Sequence, residues 1–222
     1  MQAAKISPAT EDYLKAIYVL GDESQPVIAA KVAGEMGVSP STMFSALRRL
    51  EREGYVKVER RKKIHLTSAG NKVAEGILRR HFLTERLLTD LLGLDWVKAH
   101  QEAHRLEHAI SSEVEERLAK LLNHPKTCPH GNPIPGEVSA ATQRGEPLNT
   151  VRAGNQVVFQ CITEVGERDS RLLDFLQQHH MVPGADIKVI DVAPSLGIMT
   201  LKVDSEDFVL GLEAAKKIRV QV

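Results

Sequence analysis

Cysteine is scarce in this 222-residue chain: Cys128 and Cys161 are the only two, and they fall in segments of different character. A disulfide framework is therefore excluded, and a reducing compartment is expected. No apolar run approaches the 18 residues of a membrane span, and the opening MQAAKISPATEDYLK has no apolar signal core, so a cytoplasmic location is expected. Net charge is also missing, with 29 Lys and Arg against 29 Asp and Glu. That balance conceals an uneven distribution, since residues 41–80 hold eleven Lys/Arg against only four Glu. A local basic patch of this kind suits a polyanion. The motif HExxH is absent and no candidate nucleophile stands out, which argues against a metallohydrolase despite an abundance of histidine.

What is present centres on HQEAHRLEH, residues 100–108. At 100° per residue, His100, His104, Glu107 and His108 fall at about 0°, 40°, 340° and 80°, so three imidazoles and a carboxylate share one helix face. One helix earlier His81 and Glu85 are four residues apart and also stack on one face. Two such helices facing each other can enclose a divalent cation.

From the N-terminus, Ser7-Pro8 opens a first helix reaching about Gly21, with Asp12 and Lys15 on it. VIAAKVAGEM, closed by Gly37, and SPSTMFSALRRLERE, closed by Gly54, form a helix-turn-helix. YVKVERRKKIHLT then alternates around a cationic tip, which completes a winged helix-turn-helix. Ser39, Ser41, Thr42, Ser45 and Arg49 are candidates for the base-facing side, and Arg52, Arg60, Arg61 and Lys62 for phosphate contacts. His65 is expected to be a structural strand residue. A helix of roughly 25 residues starts at Thr67-Ser68, and a second runs from Trp96 to about Leu122. Their apolar stripes exceed what one wing domain needs, so a homodimer on a palindromic double-stranded DNA operator is expected.

Between His124 and Thr150 periodicity disappears and five prolines accumulate, as in a linker. Cys128 and His130 lie there, and a structural loop is the favoured reading of that pair. The last seventy residues change to GNQVVFQCIT, ADIKVIDV, IMTLKVDS and KKIRVQV, with the helix SRLLDFLQQHHM between the first two, which predicts a small barrel of the SH3 type. The expected architecture is thus mainly α, with an all-β SH3-like barrel at the C-terminus. Its divisions are a DNA-binding domain at 1–70, a helical dimerisation and metal-binding domain at 71–127, a linker at 128–150 and the SH3-like domain at 151–222.

TEDYLKAIY, SPSTMFSALRRLEREG, RRHFLTERLLTDLLGLD, HQEAHRLEH and GNPIPG, in this order, resemble the diphtheria toxin repressor family of metal-dependent transcriptional regulators over essentially the whole chain. The resemblance implies two metal sites. An ancillary site would use His81, Glu85 and His100 with a carboxylate from the C-terminal domain, Asp169 being the better match and Glu167 the alternative; Leu172 stands where some members carry an amide ligand. A primary site would use Asp12 with His104, Glu107 and His108. Lys15 departs from a second carboxylate of some manganese-type members, which argues against their close two-metal cluster. Oxygen and imidazole ligands without sulfur suit Mn(II) or Fe(II), while Zn(II), Co(II) and Ni(II) would also bind in vitro. The function implied is a metal-dependent dimeric regulator that represses metal-uptake genes when metal is replete. The alternative from another class is a winged-helix regulator of an organic ligand, with the histidines structural.

Overall fold

The computed structural model describes residues 6–23, 26–59, 63–138 and 145–221. It divides into two compact units, Met1–Arg80 and His81–Val222. No helix among the described residues is long and apolar enough to cross a membrane.

In the first unit, helix α1 (Pro8–Glu23) starts where the Ser7 hydroxyl accepts from the Thr10 amide at 3.3 Å. Helix α2 (Ala29–Met36) ends on Gly37, whose φ of 63° is the left-handed conformation of a helix stop. Helix α3 (Pro40–Arg52) is capped by Ser39, whose side chain accepts from the Thr42 amide. Met43, Ala46, Leu47 and Leu50 repeat at helical spacing and turn one face of α3 onto Leu14, Ile17 and Val32, which closes the helix-turn-helix core. Strands β1 (Val56–Val58) and β2 (Ile64–Leu66) pair antiparallel with Val56 opposite Leu66 and Val58 opposite Ile64, so the wing is present. Its expected cationic tip, Arg60, Arg61 and Lys62, lies outside the described residues. His65 sits mid-strand, 3.5 Å from Glu59.

Helix α4 (Ser68–Arg86) continues into a π-turn over Leu87–Leu91. The single long helix expected from Trp96 to Leu122 is instead two, α5 (Trp96–Leu106) and α6 (Ser112–Leu121). Ser111 is the reason, because its side chain accepts from the Val114 amide and starts a new helix that apolar periodicity alone does not distinguish from a continuation.

The C-terminal part of the second unit is a six-stranded antiparallel sheet in the order β3-β8-β4-β5-β6-β7. Its strands are β3 (Glu146–Pro147), β4 (Gln156–Ile162), β5 (Asp186–Ala193), β6 (Ile198–Val203), β7 (Glu206–Gly211) and β8 (Ile218–Gln221). Register shifts at Phe159/Cys161 and Val189/Asp191 bend it. Strand β7 was absent from the sequence reading, although Phe208 and Leu210 point inward and Val209 outward with the period of two. Helices α7 (Glu164–Glu167) and α8 (Ser170–Gln178) follow β4. Leu173 and Leu176 of α8 join Phe159, Ile187, Leu201 and Ile218 in one core, which also takes in Trp96 from α5. The Trp96 amide donates to Gln177 at 3.0 Å, a second tie between α5 and α8.

The stretch expected to be a linker is packed at its start. Cys128, His130, Asn132 and Ile134 are fully or almost fully buried, and Arg86 holds this segment to α4 by donating to the carbonyls of Thr127 (2.8 Å) and Cys128 (3.2 Å). Proline spacing signals irregular backbone without showing whether that backbone is buried.

Candidate metal centre and nucleic-acid interface

The last two turns of α4 deliver His81 and Glu85 to the interior of the second unit, both fully buried. His81 Nε2 lies 3.0 Å from Glu85 Oε1, and His100 Nδ1, from α5, lies 2.9 Å from the same oxygen. The fourth member is Glu167 at the end of α7, whose Oε2 is 3.5 Å from His100 Nδ1. Ligand atoms of His81, Glu85, His100 and Glu167 all fall within 4.8 Å of one another.

Asp169, the carboxylate preferred from the resemblance, is not in this group. It caps α8, accepting from the Leu172 amide at 3.3 Å, and lies 3.7 Å from Lys217 Nζ. The two-residue shift follows from local folding: Thr163 caps the single turn of α7, which turns Glu167 inward, whereas Asp169 falls in the turn after it and opens the next helix. The sequence places two carboxylates near that position, and only the backbone turn selects one. Glu167→Ala is therefore expected to weaken Mn(II) or Zn(II) binding by ~10- to 100-fold. Asp169→Ala should leave metal affinity unchanged and cost only ~1 kcal/mol of stability through the lost cap. Isothermal titration of both variants, with thermal unfolding alongside, separates the two roles.

Cys128 and His130 are the residues that sequence reasoning set aside. His130 Nδ1 lies 3.4 Å from Glu85 Oε2 and 3.2 Å from Glu167 Oε1, and Cys128 with Glu85 and His130 forms a second buried group within 4.8 Å. A thiol thus stands in a candidate ligand set expected to lack sulfur, and as a ligand it would widen the ions that set suits toward softer ones. The signal in the sequence was C-P-H on its own, and its partners are more than 35 residues away in both directions. Asn132 supports the group by donating to Glu167 Oε1 (2.6 Å) and to the Ile162 carbonyl (2.7 Å), and the Trp96 ring meets His130 edge-on at 4.8 Å.

A third constellation lies at the C-terminal end of α5. Glu107, fully buried, has Oε2 2.6 Å from His81 Nδ1 and Oε1 3.0 Å from His104 Nδ1, with His108 Nε2 at 3.6 Å. α5 ends at Leu106 with Glu107 as its C-cap, so His108 belongs to the following turn rather than to a continuous helical stripe. Asp12, the further ligand implied by the resemblance, stands on α1 in the first unit.

Electrostatics favour a cation. Burial would raise the Glu85 carboxyl, but the charges on His130 and His81 and the hydrogen bond from His100 hold it well below the usual carboxylate range. Burial would keep His130 neutral, yet Glu167 and Glu85 outweigh it and raise the imidazole well above its ordinary value. Burial and Glu167 together push the Cys128 thiol up. Glu85 Oε2, Glu167 Oε2 and both ring nitrogens of His130 are buried with no hydrogen bond of good geometry among the described residues. Lone pairs that converge in this way fit a divalent ion, which would offset the clustered carboxylates and take the thiol as thiolate.

On the first unit, the outward face of α3 carries Ser41, Ser45, Arg48 and Arg52, all exposed. Ser39 Oγ is tied to Ser41 Oγ and Thr42 Oγ1, both at 2.9 Å, so this run caps α3 and is also open to solvent. Ser45 Oγ donates back to the Ser41 carbonyl at 3.0 Å. Arg49, expected on the base-facing side, instead turns inward, where its Nη2 donates to Thr10 Oγ1 at 3.4 Å. Arg48, which sequence reasoning passed over, takes the central outward position.

Comparison with known proteins agrees with this division of labour. Residues 5–64 match the model described as iron dependent repressor, N-terminal DNA binding domain; residues 67–136 match its metal binding and dimerisation domain; residues 146–222 match the FeoA domain. The iron-dependent repressor IdeR of Mycobacterium tuberculosis is 36% identical over 222 residues, 96% of each chain. The diphtheria toxin repressor of Corynebacterium diphtheriae is 33% identical over 232 residues, again 96% of each. A solved manganese-dependent transcriptional repressor in complex with manganese superposes with a TM-score of 0.86 at 30% identity, covering 96% of this chain and 99% of the other. ScaR with bound Zn2+ gives 0.82 at 28% identity, over 96% and 98%. With relatives of this identity spanning nearly its whole length, the chain belongs to the iron-dependent repressor family of metal-dependent, DNA-binding transcriptional repressors.

Proposed function

We propose that this chain is a homodimeric repressor of metal-uptake genes whose affinity for a palindromic operator is set by Mn(II) or Fe(II). The observation that carries the reading is the convergence within one unit of His81, Glu85, His100 and Glu167, and of Cys128 and His130 on the same Glu85, all of them buried but His100, which is partly so. Glu107 with His104 and His108 is the second ligand set, and the resemblance adds Asp12 to it. A bound cation supplies charge that neutralises the clustered carboxylates; the imidazoles and carboxylates orient it. Activation needs the cation to bind the DNA-competent arrangement better than its alternatives, with a coupling of ~1 to 3 kcal/mol, and DNA must then strengthen cation binding by the same factor. Ser41, Ser45, Arg48 and Arg52 form the face offered to DNA. Leu91, Leu92, Leu106, Val114 and Leu121 leave an exposed apolar surface on the second unit that suits a dimer.

Titrating the chelated protein with Mn(II), with Fe(II) under anaerobic conditions and with Zn(II), while following binding to a promoter duplex at fixed salt, tests the reading. Affinity for DNA is expected to rise with each ion. Affinity for the ion itself is expected to rise with pH, and to go on rising above the ordinary imidazole range, because the protons that His130 and Cys128 hold more tightly than usual compete with the cation. Equal DNA binding with and without metal would make the histidines structural and point to an organic effector.

A further inference from the structure

Glu85 and Glu167 are buried, and each carboxylate faces two groups of side chains rather than one. On the first side, Glu85 Oε1 lies 3.0 Å from His81 Nε2 and 2.9 Å from His100 Nδ1, those two nitrogens are 3.3 Å apart, and Glu167 Oε2 is 3.5 Å from His100 Nδ1. On the second side, Glu85 Oε2 lies 3.4 Å from His130 Nδ1, while Glu167 Oε1 lies 3.2 Å from the same nitrogen and 3.9 Å from Cys128 Sγ. A tetrahedral ion with bonds of ~2.0 to 2.1 Å to nitrogen and oxygen holds those ligands ~3.3 to 3.4 Å apart, and a thiolate somewhat farther. Each side by itself is close to that spacing. The buried polar atoms without a hydrogen bond of good geometry also fall on both sides: Glu167 Oε2 on the first, Glu85 Oε2 and the two His130 ring nitrogens on the second. An ion on one side would leave the lone pairs of the other buried and unmatched. Two carboxylates and a thiolate also carry more negative charge than one divalent ion offsets.

We propose that this cluster is a dinuclear site in which Glu85 and Glu167 each bridge two divalent ions, with His81 and His100 terminal on one ion and Cys128 and His130 terminal on the other. The inference rests on the metal-binding reading above and adds how many ions the buried set takes and of what kind. The side of imidazole and carboxylate suits Mn(II) or Fe(II), whereas the side with the thiolate favours Zn(II) or Fe(II). Asn132, donating to Glu167 Oε1 at 2.6 Å, is the hydrogen bond that orients one bridge.

The test uses the full-length protein, stripped with a chelator and dialysed against Zn(II), with bound metal counted per protomer by mass spectrometry. His130→Ala is expected to hold one ion fewer than wild type and Glu85→Gln two fewer, because a terminal ligand serves one ion and a bridge serves both. Loading with Co(II) should give a thiolate charge-transfer band that Cys128→Ser loses, while the ligand-field absorption of the other ion persists. Circular dichroism checks that each variant is folded. Anomalous diffraction at the zinc edge from crystals of the loaded wild type needs no substitution, and should place two ions with Glu85 and Glu167 between them. A single ion at these two carboxylates, or equal losses from folded His130→Ala and Glu85→Gln, overturns the proposal and leaves metal-stimulated DNA binding standing. A wild-type protein that retains no Zn(II) overturns the metal-binding reading and this inference together.

Discussion

Replacing Glu107 by glutamine is expected to abolish metal-stimulated DNA binding and to weaken cation binding at the α5 end by ~100-fold or more. The side chain is fully buried, with His81 Nδ1 2.6 Å from one oxygen and His104 Nδ1 3.0 Å from the other. A buried carboxylate is tolerated only where positive charge or donors meet it, and here imidazoles from α4 and α5 do so. Glutamine keeps the volume but removes the charge and turns an amide NH2 toward a ring nitrogen, so neither a cation nor a protonated imidazole is balanced. His81 also faces Glu85 through its other nitrogen, so the effect should extend to that set as a smaller loss. The check is Mn(II) titration by calorimetry and by electron paramagnetic resonance, with DNA binding measured alongside and the dimer followed by sedimentation. Undiminished stimulation by metal in a folded Glu107→Gln dimer would remove Glu107 from the ligand set.

The second large effect is expected at Gly131. Its φ is +94°, and a Cβ built there would lie 2.0 Å from the Gln160 carbonyl oxygen and 2.9 Å from Cys161. Glycine is required on two counts, backbone conformation and close approach to β4. The contact has a chemical consequence, because the Ile162 amide donates to the His130 carbonyl at 3.1 Å and Asn132 donates to the Ile162 carbonyl. The segment from Cys128 to Asn132 is thereby held to the sheet, and its side chains are aimed at Glu85 and Glu167. Gly131→Ala should therefore cost ~2 to 4 kcal/mol, a fall in Tm of roughly 5 to 15 °C for a chain of this length. Zn(II) affinity should fall with it, since displacement of the segment carries off two candidate ligands at once. A Gly131→Ala protein with wild-type Tm would show that β4 does not constrain the segment.

Much of the molecule was legible before folding because local rules suffice for it. Ser39-Pro40 before an apolar stripe at helical spacing specifies α3, and alternation around a basic turn specifies the wing. His81 with Glu85, and His100 with His104, were readable as ligand pairs because a helix converts spacing into direction. His108 reaches Glu107 by another route, from the turn that follows the end of α5 at Leu106 rather than from the helical stripe. The same rule misplaced Arg49, whose long side chain reached inward to Thr10 although its position borders the outer face.

The sequence by itself determined the helix-turn-helix, the β-rich C-terminal part, and the helical residue types able to hold a cation. Only the tertiary structure decided that Glu167 rather than Asp169 turns inward, and that Cys128 and His130 join Glu85. The physical reason is range: a cap, a helical stripe or a two-residue alternation acts within a few residues, whereas the candidate ligands are brought together from α4, α5, α7 and an irregular loop up to 86 residues apart in the chain. Irregular loops carry no periodicity. The direction in which Cys128 and His130 point is set by a glycine pressed against a strand and by an arginine bound to two carbonyls, and those contacts exist only once the chain has folded.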